Sequence, residues 1–466
     1  MPTADISLMA HLMRRAGFGA TRSELETLAE KGYEQVVDDL VHPERFPDIE
    51  DDILKRYYLE LTYNDSLAQW TGEWVFRMIN TKRPVQEKMA LFWHHVFATA
   101  WYKSEHTPSI VQQIQTFREF GMTNLQTLLV ELAKDPAMNY WLDNCENHRT
   151  EPNENWGREL LELFSMGVGH YSEDDIKNAS RAFTGWTFQQ PIPLYPYGNY
   201  PARFKYVEED HDFSEKTFLG NTGNFNGEDI IDIVVKQEAT ARFICRHMYN
   251  FFVADEPQVP SWELEPPQDP AAIDAMVNAY FEHDGEVRPI LRAMFLSDFF
   301  KSARFKKVKS PAELVTGTVK LAGTFHDAEE GLPRLGNVMT IMGQQLMNPP
   351  TVEGWHTGKE WIDGGTLNER INFAVNELND VSKPGIQEIV ARFKAEGRVS
   401  PERFVEMALD LVGAENAGSD THDALMRFAN LDGDLTFDTE ENAQKSAERV
   451  GRMVQLIVAT REYQFA

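Results

Sequence analysis

Apolar residues recur at intervals of three and four residues along most of the chain, which is the spacing of one face of an α-helix. In the segment 84–102, Pro84 suits the first helical turn. The apolar face of that segment consists of Met89, Phe92, Trp93, Val96 and Phe97. The same periodicity predicts helices near 5–17, 66–80, 108–120, 123–134, 153–166, 173–183, 229–252, 270–283, 287–299, 310–323, 335–347 and over most of 384–466. These elements predict a mostly α-helical protein. The spacing of Thr21 with Glu24 and of Ser172 with Asp175 predicts capping boxes at two helix starts, a role favoured over catalysis for Asp175.

The periodicity breaks in the segment 187–228, which is rich in proline, glycine and aromatic residues. Within it, residues 203–207 alternate with period two, and residues 216–219 do so more weakly. The two runs predict a small β-hairpin around Asp210-His211-Asp212. A long loop inside a helical protein is often a lid or a binding element.

No internal repeat and no clear linker divides the chain. We therefore predict a single large helical body in three consecutive parts. These are residues 1–186 with the candidate site, the loop and hairpin insertion 187–228, and residues 229–466. The parts are expected to form one compact unit.

The 466 residues carry a formal net charge of −28. Such a chain repels phosphate on average, which argues against nonspecific binding to nucleic acid or to an anionic membrane. Cys145 and Cys245 are too few for a disulfide framework or a thiolate zinc site. The phosphate-binding and dinucleotide-binding fingerprints are absent, so no nucleotide cofactor is expected. Without an apolar run of membrane length, we expect a soluble, cytoplasmic protein, and secretion stays open.

Candidate chemistry is densest in the predicted helix that follows Pro152. Glu154, Arg158 and Glu162 are spaced four residues apart and lie on one face, and Glu159 is three residues before Glu162. An apolar stripe runs beside them through Trp156, Leu160, Leu163 and Phe164. Charges next to a buried stripe need partners, so these glutamates either form a structural ion network with Arg158 or bind a metal ion or a substrate.

The pair His94-His95 lies in the middle of an apolar helix. Consecutive helical residues point about 100° apart, so both side chains cannot share its buried face. One histidine is expected in the core and the other toward a carboxylate. With Glu159 or Glu162, the pair would supply ligands suited to iron, manganese or zinc.

The segment Asp210-His211-Asp212 places a histidine between two acids in a polar loop. Neighbouring carboxylates either favour the imidazolium form, which would raise the pKa of His211, or orient its ring as a base or a ligand. Lys216 is close enough in sequence to join the cluster. The alternative is a solvated turn without a function.

Several segments together resemble one family. They are 11–19, 87–99, 152–169, 182–186, His211-Asp212 with Lys216, Gly343-Gln344, Pro349-Pro350 and Gly354-Trp355. The chain resembles the bacterial domain-of-unknown-function family 1800 from about residue 8 to residue 463. The resemblance implies a predominantly helical protein without an assigned activity. It also implies a possible protein partner, because many members are encoded beside a second uncharacterised family with secretion signals.

Our leading hypothesis is a metal-dependent or acid/base enzyme, hydrolytic or oxidative, with a His/Glu site between helices that the 187–228 insertion covers. The candidate catalytic residues are His211, Glu159, Glu162, Arg158 and Lys216. The candidate ligands of a divalent metal are His94, His95, Glu154, Glu159, Glu162 and Asp212.

Two alternatives stay open. One is a carbohydrate-active enzyme that uses paired carboxylates and loop tryptophans. The other is a non-catalytic binding or maturation partner of a co-encoded protein. Trp186, Trp355 and Trp361 lie in glycine-rich loops, where we expect them to anchor the loops to the core rather than to line a binding site.

Overall fold

A computed structural model describes residues 3–50, 54, 56, 66–190, 202–259 and 262–466. The helices of these residues are numbered here in chain order. Those before the insertion are α1 (Thr3–Ala16), α2 (Arg22–Lys31), α3 (Tyr33–Val41), α4 (Leu67–Asn80), α5 (Pro84–Val96), α6 (Trp101–Ser104), α7 (Thr107–Phe120), α8 (Leu125–Lys134), α9 (Pro136–Trp141), α10 (Asn155–Glu162) and α11 (Glu173–Ala182). Those after it are α12 (Gly227–Val235), α13 (Glu238–Phe252), α14 (Pro270–Glu282), α15 (Val287–Leu296), α16 (Asp298–Lys301), α17 (Pro311–Ala322), α18 (Leu332–Ile341), α19 (Gly364–Glu377), α20 (Pro384–Glu396), α21 (Pro401–Val412), α22 (Ser419–Ala429) and α23 (Glu440–Val458). The predicted mostly helical fold is confirmed.

The strands form small antiparallel pairs. They are β1 (Trp186–Gln189) with β2 (Arg203–Tyr206), β3 (Lys216–Phe218) with β4 (Asn221–Gly223), and β5 (Arg398–Val399) with β6 (Leu435–Thr436). The small hairpin is therefore present, but the predicted pairing of 203–207 with 216–219 is wrong. Leu219 and Gly220 both have positive φ, and a two-residue turn of this kind returns β3 directly onto β4. The proline-rich residues 191–201 of the insertion lie outside the described residues.

Local sequence sets where several helices begin. The predicted capping boxes of Thr21 with Glu24 and Ser172 with Asp175 are both present. In each, the side chain before the helix accepts from a backbone N–H of the first turn, and the acid three residues later accepts from the backbone in return. The reading of Asp175 as a helix cap rather than a catalytic acid is thus supported by its geometry.

Helix α5 lies at the centre of the molecule. Every residue from Glu87 to Val96 is buried, because α1, α3, α4, α7 and α13 pack around it. His94 and His95 are both buried, because a helix surrounded by others has no solvent-facing side.

Several charged residues that are buried around α5 form ion pairs. Lys88 on α5 is fully buried and forms an ion pair with Glu313 on α17, and its ammonium group also donates to the carbonyl of Gly17 at 3.0 Å. Arg118 on α7 donates to Glu87 at 2.8 Å. These pairs join helices that lie far apart in the sequence.

Among the described residues, no helix combines the length and the apolar character needed to cross a membrane. The division into 1–186, 187–228 and 229–466 stays a prediction.

Candidate functional site

Helix α10 carries the acidic cluster. Its apolar side is buried as predicted, with Trp156 and Leu160 both inaccessible to solvent and Phe164 buried just beyond the helix. This side packs against α11, where Gly157 allows the close approach: a Cβ at that position would lie 2.3 Å from the hydroxyl oxygen of Ser180. The acidic residues consequently lie at the edge of the core.

Arg158 is engaged by carboxylates outside the centre of the cluster. Its guanidinium donates to Glu173 at 2.9 and 3.1 Å and to Glu154 at 3.3 Å. The hydrogen bond to Glu173, opposed by burial, raises the pKa of Arg158. The structural ion network considered from the sequence therefore includes Glu154 and Arg158, with Glu173 as an additional partner.

Glu159 is not part of this network. Within the described chain, its carboxyl group has no hydrogen bond and no ion pair up to 4.0 Å, although the residue is partly buried. Burial and then the charge of Glu162 raise the pKa of Glu159 to about 7, and Glu353 adds to the effect while Arg158 opposes it. Around neutral pH, Glu159 is thus divided between its protonated and ionised forms.

The acidic edge opens into a cavity of about 770 Å³. Glu162 and Glu353 line one part of it, and the rings of Phe243 and Trp262 line another. The Gly167–His170 segment, which follows α10, forms part of the rim. The volume lies within the range of small-molecule binding sites, and the lining combines an aromatic wall with acids.

The two arginines of the cavity are already paired. Arg246 donates to Glu256 at 2.8 Å and lies over the Trp262 ring at 4.5 Å. Arg242 donates to Glu238 and to Asp274, each at 2.8 Å. The guanidinium groups therefore stabilise the cavity lining through these contacts and are not free to bind an anion.

His95 positions the loop that carries Glu353. The backbone N–H of Trp355 donates to Nδ1 of His95 at 3.3 Å, and the two rings are stacked with centroids 6.2 Å apart. Gly354 has a φ of +84°, and a Cβ there would lie 2.3 Å from the carbonyl oxygen of His95. Burial, with a smaller contribution from Lys307, lowers the pKa of His95 to about 4. His95 thus acts as a neutral acceptor for this loop.

His94 is a core residue. Its ring lies between Trp74 and Trp355, with centroid distances of 5.7 and 5.3 Å. Neither ring nitrogen has a hydrogen-bond partner within the described residues. Burial, followed by the neighbouring His95, lowers the pKa of His94 to about 3.

The structure does not join these histidines to the glutamates of α10 directly. Within the described chain, no hydrogen bond or ion pair links His94 or His95 to Glu154, Glu159 or Glu162. The connection runs instead through the 353–355 loop, which contacts His95 and places Glu353 near Glu159.

His211 faces the helical body, as predicted, and is 3% exposed. Its Nδ1 donates to the carbonyl of Thr184 at 2.8 Å, and its ring contacts Phe213 and Tyr206. Burial lowers the pKa of His211, so the rise expected as one alternative is wrong. The reason is that the adjacent acids bind other groups: Asp210 accepts from His148 at 2.5 Å, and burial outweighs the effect of Asp212.

Asp212 and Lys216 stabilise the turn around His211. Asp212 accepts from Arg181 at 2.7 Å, and Lys216 donates to the carbonyls of Asp212 at 2.5 Å and Ser214 at 3.1 Å. These contacts account for both side chains structurally. Within the described residues, the cavity lining includes neither these side chains nor His211.

The metal-ligand assignment stays a prediction. In the part of the chain that the structure describes, no three His, Cys, Asp or Glu side chains are grouped so that they could hold a metal ion. The candidate ligands are distributed between the core, the acidic edge and the His211 turn.

Sequence reasoning identified the acidic helix but missed most of the cavity. Trp186, Trp355 and Trp361 are buried, as expected for loop anchors. The aromatic wall is formed instead by Phe243 and Trp262. Glu353 lies directly before the Gly354-Trp355 motif, which was the one sequence signal near it.

The family comparison supports the resemblance seen in the sequence. The family model described as "Protein of unknown function (DUF1800)" matches residues 11–465. No curated protein and no solved structure matches the chain. A substrate, a cofactor and the partner encoded nearby therefore stay predictions. The chain belongs to the DUF1800 family.

Proposed function

We propose that this protein is an acid/base hydrolase whose active site is the cavity beside α10. The observation that carries the proposal is Glu159, an unpaired, partly buried carboxyl group with a pKa raised to about 7 beside the charge of Glu162. Paired titratable groups in unlike environments are typical of a catalytic acid and its partner base.

In the proposed reaction, protonated Glu159 donates its proton to the leaving-group oxygen of the substrate. Glu162 activates a water molecule or attacks the substrate itself. Their i, i+3 spacing places the two Cβ atoms about 5–6 Å apart on the same side of the helix. Glycosidases use such pairs of carboxyl groups, one as acid and one as base or nucleophile.

The lining supports a neutral, hydroxyl-bearing substrate, and glycosides are the class we favour. Phe243 and Trp262 offer apolar ring surface, and the acids at the edge can accept hydrogen bonds from hydroxyl groups. Arg242 and Arg246 are occupied by carboxylates. Glu162 and Glu353 would repel an anionic substrate. Among the described lining residues, no unpaired cation would attract it.

A panel of chromogenic glycosides and carboxylic esters tests the proposal. For any substrate that the wild-type protein hydrolyses, Glu159→Gln and Glu162→Gln should each reduce kcat/KM by about 10²–10⁴-fold, the usual contribution of a positioned acid or base. Glu282→Gln, a change at an exposed acid on α14, is the control and should leave the rate unchanged. Wild-type rates in both cavity variants would refute the assignment.

The same assay separates the rival roles of His211 and of a metal ion. Since His211 is held by Thr184 away from the cavity lining, His211→Ala should retain most of the activity in the folded fraction. Elemental analysis of protein purified without a metal-binding tag, and turnover after chelation, test the metal-dependent form. Loss of activity with loss of a stoichiometric metal would favour that form over metal-free acid/base catalysis.

A further inference from the structure

A second, smaller cavity lies where the two ends of the described chain meet. Its volume is about 90 Å³, and it is bounded by α1, by the start of α17, by the residues after α21 and by the turn containing Tyr463. Arg14 and Lys309 both line it. The cavity is separate from the one beside α10, which shares none of its lining residues.

Among the described residues, Arg14 has no ion pair at contact distance. Burial lowers its pKa, although the charge of Glu415 opposes this effect. Within the described residues, no carboxylate lies within 4.0 Å of its guanidinium group and no hydrogen bond involves it. Its Nε is buried without a partner, and the group lies over the Phe305 ring at 4.9 Å. Arg14 is partly buried, and a polar group that loses contact with water without gaining a partner is costly, so native proteins rarely leave one without a ligand or a water molecule.

Lys309 adds a second positive charge to the same cavity. Its Nζ donates to the backbone carbonyl of Tyr463 at 2.8 Å and lies 3.9 Å from the centre of that ring. Burial lowers the pKa of Lys309 to about 7, and the nearby charges of Arg14 and Arg370 contribute. Lys309 also has no carboxylate within 4.0 Å among the described residues.

Two of the three described acids that line the cavity are paired with cations. Glu313 is paired with Lys88, and Asp410 accepts from Arg22 at 2.5 Å. Glu415 accepts from the hydroxyl of Ser7. Because Ser7 is neutral, Glu415 keeps its charge. The two cations Arg14 and Lys309 therefore outnumber the one described carboxylate without a cationic partner, although the chain as a whole carries −28.

We propose that Arg14 and Lys309 form a binding site for a small oxyanion, either a tetrahedral anion such as phosphate or sulfate, or a carboxylate. A guanidinium and an ammonium group that face a small cavity can bind such oxygens through charge-assisted hydrogen bonds. The bound anion would join α1 to α17 and to the C-terminal helices, and it is independent of catalysis beside α10.

Thermal unfolding of the full chain tests the site. The melting temperature is compared in chloride, inorganic phosphate, sulfate and acetate at equal ionic strength. A ligand that binds only the folded state raises the melting temperature with its concentration. We expect such an increase over chloride in phosphate and sulfate if the ligand is tetrahedral, and in acetate if it is a carboxylate.

Two substitutions link the effect to the cavity. Arg14→Met and Lys309→Met keep the aliphatic part of each side chain and remove its charge, so each should abolish the anion-dependent increase. Arg427→Gln and Lys394→Met change exposed cations without ion pairs among the described residues and should retain the full increase.

Calorimetric titration with the same anions keeps the test valid if a methionine variant does not fold. Arg14→Lys, which retains the charge but loses the planar fork, then replaces Arg14→Met and should weaken binding several-fold. The proposal is overturned if no anion stabilises or binds the wild type beyond chloride. It is equally overturned if the cavity variants respond like the two surface controls.

Discussion

Glu313 and Glu159 show how one residue type takes opposite electrostatic states in one protein. Glu313 is buried on α17, yet the charges of Lys88, Lys307 and Arg15 overcome the effect of burial and lower its pKa to about 2. Glu159 is less buried, but its neighbours Glu162 and Glu353 are acids, and its pKa rises to about 7. Burial raises the pKa of both groups; the cations around Glu313 reverse this effect, whereas the acids beside Glu159 add to it.

The contrast separates a structural carboxylate from a candidate catalytic one. Glu313 accepts from Lys88 with one oxygen and from the backbone N–H of Ser310, at 2.8 Å, with the other. Glu159 has no partner within the described residues and lies next to Glu162, which lines the cavity beside α10. A carboxyl group with satisfied oxygens contributes to stability, whereas an unsatisfied one near neutrality is able to exchange a proton with a ligand.

The largest expected effect is the loss of the buried pair. Glu313→Gln leaves the ammonium group of Lys88 uncompensated, which should lower the free energy of unfolding by about 3–5 kcal/mol. Urea unfolding at pH 7 measures it. The double variant Lys88→Met with Glu313→Leu should recover much of the loss, because apolar replacements can substitute for a buried pair.

The pH dependence of the free energy of unfolding provides a second test of the pair of Lys88 with Glu313. A lowered folded-state pKa means that the contribution of Glu313 is present above its unfolded value of 4.5 and is lost as the pH falls toward about 2. The wild type should therefore lose its advantage over Glu313→Gln in that window. A single variant as stable as the surface control Glu282→Gln would contradict the role assigned to the pair.

Glu159→Gln should have a smaller effect of opposite sign. With a raised pKa, folded Glu159 retains its proton between pH 4.5 and about 7 while the unfolded chain releases it. Wild-type stability therefore declines across that window. The variant should be more stable at pH 8 by about 1–2 kcal/mol, after allowing for solvent screening of a partly exposed group.

Urea unfolding at pH 4 and pH 8 measures this difference. The two proteins should be about equally stable at pH 4, where both carry a neutral side chain at position 159. A variant that is less stable than the wild type at pH 8 would show that the ionised carboxylate of Glu159 has a favourable partner, contrary to its contacts.

The sequence predicted the features that depend on residues close to one another in the chain. Helical periodicity, the caps at Thr21 and Ser172, and the buried stripe of α10 depend on residues within a few positions of one another, and all were confirmed. The pair of Lys88 with Glu313 joins positions 225 residues apart. No short-range pattern indicates such a pair, because a lone lysine in an apolar helix does not specify its partner.

The failed predictions have the same origin. One of the histidines His94 and His95 was expected to point toward a carboxylate, but distant helices bury both, and among the described residues neither forms an ion pair with a carboxylate. A rise in the pKa of His211 was one expectation because its sequence neighbours are acids, but His148 and Arg181 bind those acids. The environment of Glu159 likewise depends on Glu353, which another loop supplies.

The smallest predicted effect tests whether neighbouring charges control Glu159. Glu353→Gln removes a like charge and should lower the pKa of Glu159, whereas Arg158→Gln removes an opposite charge and should raise it. Each change should move the titration midpoint by only a fraction of a pH unit, because Glu353 is exposed and Arg158 is bound to Glu173. Burial and Glu162 remain in both variants.

Carbon NMR titration of the side-chain carboxyl of Glu159 measures the midpoint directly, without requiring a known substrate. Glu353→Asp retains the charge on a shorter side chain and should leave the midpoint close to that of the wild type. Opposite displacements in the two charge-removing variants would establish that the neighbours set the proton affinity of Glu159. Displacements in the same direction would show that the charges of Glu353 and Arg158 do not control the pKa of Glu159, and the acid/base proposal would then depend on burial and Glu162.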